Sequence, residues 1–304
     1  MNALAVEPIT LKDKLTLIKV ITNYALEYSD ENWITGDFYN FRLSSVFQPV
    51  FSPIKGKIIG HAAYIRSESN GEIALLPWQI FALASKDTRL VELSHLCRAV
   101  HALNYFHKAA KQDLLFIDLH PHLLESVKDD HGRMFENFLS LIGVSTSRVV
   151  VEIPPVVNRN WKLLRRVIYN YRSRGYQIAA NYSGSSNDWM TELGNLYPDI
   201  VSIQAGDLLR HKTADLLADS IHRFEATLSV KDIDTPEHVT TALQAGADYL
   251  QGNYLGKAER AIKTTIPPQL SEKFNAERWR RQISSVYQQH NGHYGSSGKC
   301  VHVR

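Results

Sequence analysis

The 304-residue sequence lacks the features that define several large classes of protein. Its two cysteines, Cys97 and Cys300, stand far apart and have no CxxC or Cys/His spacing, so neither a disulfide framework nor a zinc site is predicted. No apolar run approaches the length of a membrane span, and the first residues lack the apolar stretch and cleavage site of a secretory signal. We therefore expect a cytoplasmic protein with no membrane segment.

A strong charge of one sign is absent as well. The formal net charge is +3, and the basic residues are spread along the chain rather than massed in one block. The run ERWRRQ (277–282) has an aromatic residue among bases, but we interpret it as a solvated helix face rather than a contact for nucleic acid or an acidic partner. No nucleic-acid partner is expected.

What the sequence does contain is an alternation of short β-rich runs with segments of helical period, which is typical of a repeating β/α fold. Helical patterns such as WKLLRRVIYNYRS and TPEHVTTALQAG lie between eight candidate strands. These strands cover residues 45–51, 57–65, 113–119, 148–153, 176–181, 199–204, 225–230 and 248–252. The count and span predict an α/β fold, a TIM-like (β/α)8 barrel.

The first two candidate strands are joined by SPIKG alone. A parallel crossover needs a much longer connection, whereas an antiparallel hairpin does not. The sequence therefore predicts a barrel whose first strand is antiparallel to the next.

Outside the barrel, which we place at residues 45–268, two further parts are predicted. Residues 1–44 contain a helical pattern and are expected to form an N-terminal helical extension, which either covers an open end of the barrel or offers a surface for dimerisation or a partner. Residues 269–304 are expected to form a C-terminal helix and a flexible tail.

Seven segments in succession resemble the EAL domain family of cyclic diguanylate phosphodiesterases. FQPVFSPIKGKIIGHAAYIR resembles its opening, where Gln-Pro is followed by Glu-Ala-Leu-x-Arg without a gap. The other matching segments, in family order, are LLFIDLHPHLL, VVVEIPP, YQIAANYSGSSND, DIVSIQ, LSVKDIDTPEH and DYLQGNYLGKA. Any one alone would be a weak match, but the ordered set is specific. The resemblance implies the same barrel, with its site at the carboxyl ends of the strands.

The family's chemistry uses divalent cations held by acidic side chains, and the resemblance implies that this chain has lost most of that site. The signature glutamate corresponds to Ala62, the paired aspartates to Asn181 and Tyr182, and the late glutamate to Lys231. The lysine and its neighbouring aspartate correspond to Ser202 and Gln204. We therefore expect no catalytic residue and no bound cofactor.

Two acidic positions, Asp118 and Glu152, are retained. They could be a residual metal pair, but two carboxylates rarely suffice for a metal site, and a polar cluster or helix cap is the interpretation we favour. Lys231 could bind a phosphate, or pair with Asp232, Asp234 or Glu152. For the nearby histidines His61, His120 and His122 no catalytic role is expected.

Gln48, Arg66 and Gln251 match family positions near the nucleotide. They could bind cyclic diguanylate, with Arg66 on a phosphate, or stabilise the barrel rim through hydrogen bonds. Tyr64 replaces the smaller signature leucine, which counts against the nucleotide.

Taken together, the residues predict a degenerate EAL-like protein of bacterial signalling that acts through an unidentified protein partner, with a homodimer left open. The alternatives are a cyclic diguanylate receptor without hydrolysis and, third, a metal-dependent phosphodiesterase.

Overall fold

The computed structural model describes residues 11–29, 32–68, 75, 77–84, 87–121, 123, 130, 132–154, 161–182, 196–210 and 214–265. The predicted C-terminal helix and tail (269–304), which include the ERWRRQ run and Cys300, lie outside these ranges, as does His122.

Within the described residues, all strands belong to one ten-stranded sheet. The strands are β1 (Leu26–Ser29), β2 (Trp33–Phe38), β3 (Phe41–Ser52), β4 (Lys57–Glu68), β5 (Leu114–Asp118), β6 (Val149–Ile153), β7 (Gln177–Asn181), β8 (Ile200–Gln204), β9 (Thr227–Lys231) and β10 (Tyr249–Gln251). Strands β3 to β10 coincide with the eight predicted strands.

The sheet closes into a barrel because β3 pairs on both of its edges, with β4 on one side and β10 on the other. Both pairings are antiparallel, while the pairings from β4 round to β10 are parallel. The α/β barrel with a reversed first strand, predicted from the short SPIKG connection, is confirmed.

Helices connect most of the parallel strands. They are α1 (Leu11–Thr22), α2 (Pro77–Leu83), α3 (Asp87–Phe106), α4 (Arg133–Leu141), α5 (Trp161–Arg172), α6 (Ala205–Arg210), α7 (Ala214–Arg223) and α8 (Pro236–Gln244), with a 3-10 turn at Thr146–Arg148. Among the described helices, none combines the length and apolarity needed to cross a bilayer.

Local sequence explains where these elements form. β6 reads VVVEI and all five residues are buried, as expected of a strand covered on both faces. α8 begins at Thr235, whose side chain accepts a hydrogen bond from His238 N, and Pro236 follows at the first helical position, where its missing N–H costs nothing.

The N-terminal region contains more than the helix that the sequence predicts. The helix is present as α1, but β1 and β2 form a hairpin that continues the sheet beyond β3. β2 reads WITGDF, a β-prone run, and the turns beside it place Asn32 and Tyr39 at positive φ. The hydrophobic pattern of this region predicts only the helix, because the helical period of α1 is a clearer signal than the two short strands after it.

A buried side chain of α3 is hydrogen-bonded to the hairpin. Asn104 is buried, accepts a hydrogen bond from Ile34 N and donates one to Ile34 O, both at 2.7 Å. The amide thus satisfies both backbone groups of one strand residue at the helix–sheet interface.

We predict that Asn104→Ala destabilises the protein, because it leaves both polar groups of Ile34 without their partner at a cost on the order of 1–3 kcal/mol each. Urea unfolding of the two proteins measures the difference. The control is Asn170→Ala on α5, where the side chain is half-buried, and it should change stability far less. Equal effects of the two substitutions would contradict this role for Asn104.

A second side-chain contact that joins two elements lies near the start of β10. His222, at the end of α7, is hydrogen-bonded to Asp248 (Nε2 to Oδ2, 3.0 Å), and the same oxygen accepts from Leu228 N at 2.8 Å. The hydrogen bond to Asp248 raises the pKa of His222 above its ordinary value, against the opposing effect of burial.

Because the folded-state pKa is raised, the His222–Asp248 pair stabilises the fold fully below the ordinary pKa of histidine, and this contribution is lost as pH rises through the folded-state pKa. The stability difference between wild type and His222→Asn should therefore be larger at about pH 5.5 than at about pH 9. Urea unfolding across that range checks it. Asp248→Asn keeps an oxygen for Leu228 N and should remove the same pH-dependent component; a difference independent of pH would refute it.

Candidate functional site

The barrel interior is filled in layers, and the last layer is polar. Seven buried apolar residues pack together inside the barrel: Val50, Ile59, Ala62, Phe116, Val150, Ala179 and Ile200. Because side chains two apart in a strand share a face, the next inward positions toward the carboxyl ends include Tyr64, Asp118, Glu152, Asn181 and Ser202. The retained acidic residues thus lie at the barrel mouth, where sites of such barrels are built.

At the centre of this layer is an ion pair. Lys231 Nζ, at the end of β9, is 2.7 Å from Glu152 Oε2 on β6. The carboxyl group of Glu152 is 3% exposed and the Lys231 side chain 16% exposed. Asp118 is the register partner of Glu152 on the adjacent strand β5, and its side chain is exposed. Of the partners considered for Lys231, the structure selects Glu152.

Burial governs the electrostatics of this cluster. Burial raises the pKa of Glu152 above its ordinary value, with Lys231 opposing that shift and Asp118 adding to it. Burial alone would lower the pKa of Lys231, but the carboxyl groups of Glu152 and Asp118 outweigh it and the pKa is raised. The ammonium group therefore stays charged at neutral pH, facing two adjacent carboxyl groups.

Beside the ion pair lies a network of neutral side chains. Gln251 Nε2 donates to Gln48 Oε1 at 2.9 Å and to the hydroxyl of Tyr64 at 2.7 Å. Gln48 Nε2 in turn donates to Gly256 O at 3.2 Å and to Asn253 Oδ1 at 3.3 Å. Burial raises the pKa of Tyr64, so its phenol is neutral. Two of the three predicted nucleotide contacts, Gln48 and Gln251, thus bind each other.

Arg66, the third predicted nucleotide contact, lies away from Gln48 and Gln251. It lies further along β4, opposite Ser44, where it is exposed and donates to its neighbour Ile65 O at 3.5 Å. The structure therefore brings Gln48 and Gln251 together and leaves the Arg66 guanidinium facing solvent.

The remaining predicted positions lie as follows. Ala62 is buried opposite Gln48 in the β3–β4 register, and Ser202 is buried beside Asn181. Asn181 Nδ2 donates to Ile153 O at 2.9 Å. Gln204 is exposed opposite Lys231.

Tyr182 is directed away from the mouth. Its side chain is buried in an apolar cluster with residues such as Phe51 and Leu208. Burial also raises its pKa.

Of the nearby histidines, His61 is directed away from the mouth. His61 is on the other face of β4, with Nδ1 3.2 Å from the Tyr105 hydroxyl and Nε2 3.0 Å from Lys263 O. Burial lowers its pKa to about 4. The ring of His120 stacks on that of Phe81.

One member of the mouth, Asn253, was not singled out from the sequence. Asn253 contacts Gln48, and its Nδ2 donates to Asp234 Oδ1 at 3.0 Å. The signal of Asn253 is weak, since it occupies a turn after a strand and polar turn residues are common. Gly252, which precedes Asn253, has no room for a side chain, because a Cβ there would lie 2.2 Å from Ile233 N.

The mouth offers few ligands for a metal ion. Across the described ranges, no group of three or more histidine, cysteine, aspartate or glutamate side chains is arranged to hold one. Of the two acidic residues retained from the family pattern, Glu152 is bound to an ammonium group.

The topology and the polar layer define the class: an eight-stranded α/β barrel with a reversed first strand and its site at the strand ends. The sequence profile of the EAL domain matches residues 31–258. The chain belongs to the EAL domain family, and the family resemblance drawn from the motifs is confirmed. No curated protein sequence matches this chain.

Solved structures share the fold at low identity. A Bacillus subtilis protein with an EAL domain, YkuI, solved with substrate c-di-GMP and calcium, superposes with a TM-score of 0.67 at 20% identity, covering 81% of this chain and 64% of its own. Klebsiella pneumoniae BlrP1, a manganese and cyclic diguanylate complex, gives 0.62 at 17% identity, with coverages of 80% and 60%. A standalone EAL protein from Vibrio cholerae, in its c-di-GMP-bound form, gives 0.62 at 16%, with coverages of 77% and 99%. This chain thus spans less than two thirds of the length of the first two.

We predict that Lys231→Met destabilises the protein by about 3 kcal/mol, because it leaves the buried carboxyl group of Glu152 without its cation. Glu152→Gln should cost less, since Asp118 still faces the ammonium group, and the double variant should recover part of the loss. Urea unfolding at neutral pH measures all three.

The matched control is Lys263→Met, which breaks an exposed pair with Glu259 and should change stability by less than about 1 kcal/mol. A Lys231→Met protein as stable as wild type would show that the ion pair does not stabilise the fold.

Proposed function

We propose that this chain is a non-catalytic EAL-like protein that regulates bacterial signalling by contact with another protein. The observation that supports the proposal best is the Lys231 ammonium group, 2.7 Å from the Glu152 carboxylate at the barrel mouth. A positive side chain therefore lies at the retained carboxylate, where phosphodiester hydrolysis would need a divalent cation.

The donor chemistry around it supports the same conclusion. Hard divalent cations require several oxygen ligands, most of them anionic. Here the positions that correspond to family ligands hold Ala62, Asn181 and Gln204, and Asn181 directs its amide nitrogen to Ile153 O. These residues do not fit a pair of divalent cations.

With the chemistry lost, a rigid barrel with an appended N-terminal helix and hairpin is what can act on a partner. α1 buries Leu15 and Ile18 in the main core, yet Val20 is 80% and Ile21 52% exposed. This apolar strip suits a protein contact, either with an unidentified partner or with a second copy. A cytoplasmic location, the absence of a cofactor and the division into residues 1–44, 45–268 and 269–304 belong to the same proposal.

A cyclic diguanylate receptor is the second candidate, and one observation favours it. The exposed guanidinium of Arg66 at the strand end is available for a phosphate. Against it, Gln48 and Gln251 are engaged with each other, and Tyr64 adds bulk beside them. A ligand would have to displace these hydrogen bonds, and so its affinity should be low.

Enzyme assay and titration distinguish the candidates. With cyclic diguanylate and Mg²⁺ or Mn²⁺, we expect no linear dinucleotide at high protein concentration, because no cation activates water; any turnover that follows protein concentration would refute the proposal. Calorimetric titration should give no saturable heat.

Binding that is lost in Arg66→Ala but kept in the exposed control Arg133→Ala would instead establish the receptor. Sedimentation of wild type and of Ile21→Asp tests the homodimer, since a dimer that uses the strip should dissociate in the variant.

A further inference from the structure

The geometry of Lys231, Glu152 and Asp118 points to a role for the lysine besides the loss of a catalytic residue. Glu152 and Asp118 are register partners on adjacent strands, so their carboxyl groups leave the barrel wall side by side. Glu152 is buried while Asp118 is exposed, and a second carboxylate beside the buried one is repelled by it at an effective dielectric below that of water. A cation between them removes that repulsion.

Lys231 supplies this cation. Its ammonium group is 2.7 Å from Glu152, and it acts electrostatically on Glu152, Asp118 and Tyr64 alike. The other polar groups nearby have different partners: Asn181 donates to Ile153 O, and Gln251 donates to Tyr64 and Gln48. Among the residues that the structure describes, the positive side chain in contact with this carboxyl pair is Lys231.

We infer that Lys231 is a resident cation, which occupies the space and balances the charge that a bound divalent ion would otherwise supply to Glu152 and Asp118. This inference rests on the proposed non-catalytic function and adds a mechanism to it. The mouth holds its own cation covalently, so its charge is balanced without any ion from solution.

The inference has a chemical consequence. A glutamate at position 231 is one bond shorter than the lysine and would place a third carboxylate on the side of the cluster where the ammonium group now lies. Three converging carboxylates are a ligand set for Mn²⁺, Mg²⁺ or Ca²⁺. The barrel should therefore acquire a divalent-ion requirement from one substitution.

The experiment uses the full chain with Lys231→Glu, Lys231→Met and Lys231→Arg, each melted in EDTA and in Mn²⁺. Lys231→Glu should melt below wild type in EDTA and regain about 5 °C or more in Mn²⁺ at a hundredfold excess over its Kd. Lys231→Met, with two carboxyl groups, should regain less. Wild type and Lys231→Arg should not respond, because each keeps a cation in place.

Mn²⁺ electron paramagnetic resonance then counts bound ions, with Lys231→Glu/Glu152→Gln as the matched control. One bound ion in Lys231→Glu, weakened at least tenfold in the control, supports the inference. No Mn²⁺ response in either Lys231→Glu or Lys231→Met, or a response unchanged by Glu152→Gln, overturns it while leaving the proposed function intact. Failure of both variants to fold with Mn²⁺ present also counts against it. Tight Mn²⁺ binding by wild type at Glu152 would overturn the proposed function as well.

Discussion

The structure depends on β3 being paired along both edges. Its twelve residues pair with β4 along most of their length and with β10 near the end, and these two antiparallel ladders close a sheet whose other barrel strands run parallel. The closing register also sets the mouth. Val50 opposes Gln251 while Gln48 opposes Ala62, so the amides of Gln48 and Gln251 meet across the seam. The chain then returns along β3, where Phe47 and Glu259 exchange two backbone hydrogen bonds.

Closure determines what the polar layer must satisfy. Side chains that face the interior at the strand ends are partly or fully removed from water, and a buried polar group without a partner costs free energy. In this chain the layer is satisfied internally, by the Lys231–Glu152 pair on one side and by the Gln251, Gln48 and Tyr64 hydrogen bonds on the other. A mouth that has used its own donors and acceptors offers few of them to a ligand. That property supports a role in which the barrel serves as a scaffold.

The fold could be predicted from the sequence because its signals are local and repeated. β6 is a run of buried apolar residues around one glutamate, α8 has a capping threonine followed by proline, and SPIKG is too short for a crossover. The hairpin of β1 and β2 could not be predicted from the sequence, because its strands are short. Its contact with α3 also depends on a hydrogen bond to Asn104, about 70 residues away in sequence. For the site, the strand-end rule placed Asp118 and Glu152 correctly at the mouth. The partners of Lys231 and of Gln251 could not be chosen, because both bonds join strands distant in sequence and depend on side-chain reach across the closed barrel.

The separation between the layers explains how such a barrel can change its chemistry while keeping its fold. The apolar layer of Val50, Phe116 and Val150 lies below the mouth and holds the strands together. The polar layer above it has to satisfy only two conditions, balanced charge and paired hydrogen bonds. A metal ion held by carboxylates meets both, and so does an ammonium group placed on a neighbouring strand. The second arrangement differs in that the cation is part of the polypeptide, so it cannot activate water for hydrolysis as a bound metal ion does. On the proposed function, one substitution both removes the chemistry and keeps the charge of the mouth balanced, so that loss of hydrolysis need not weaken the barrel.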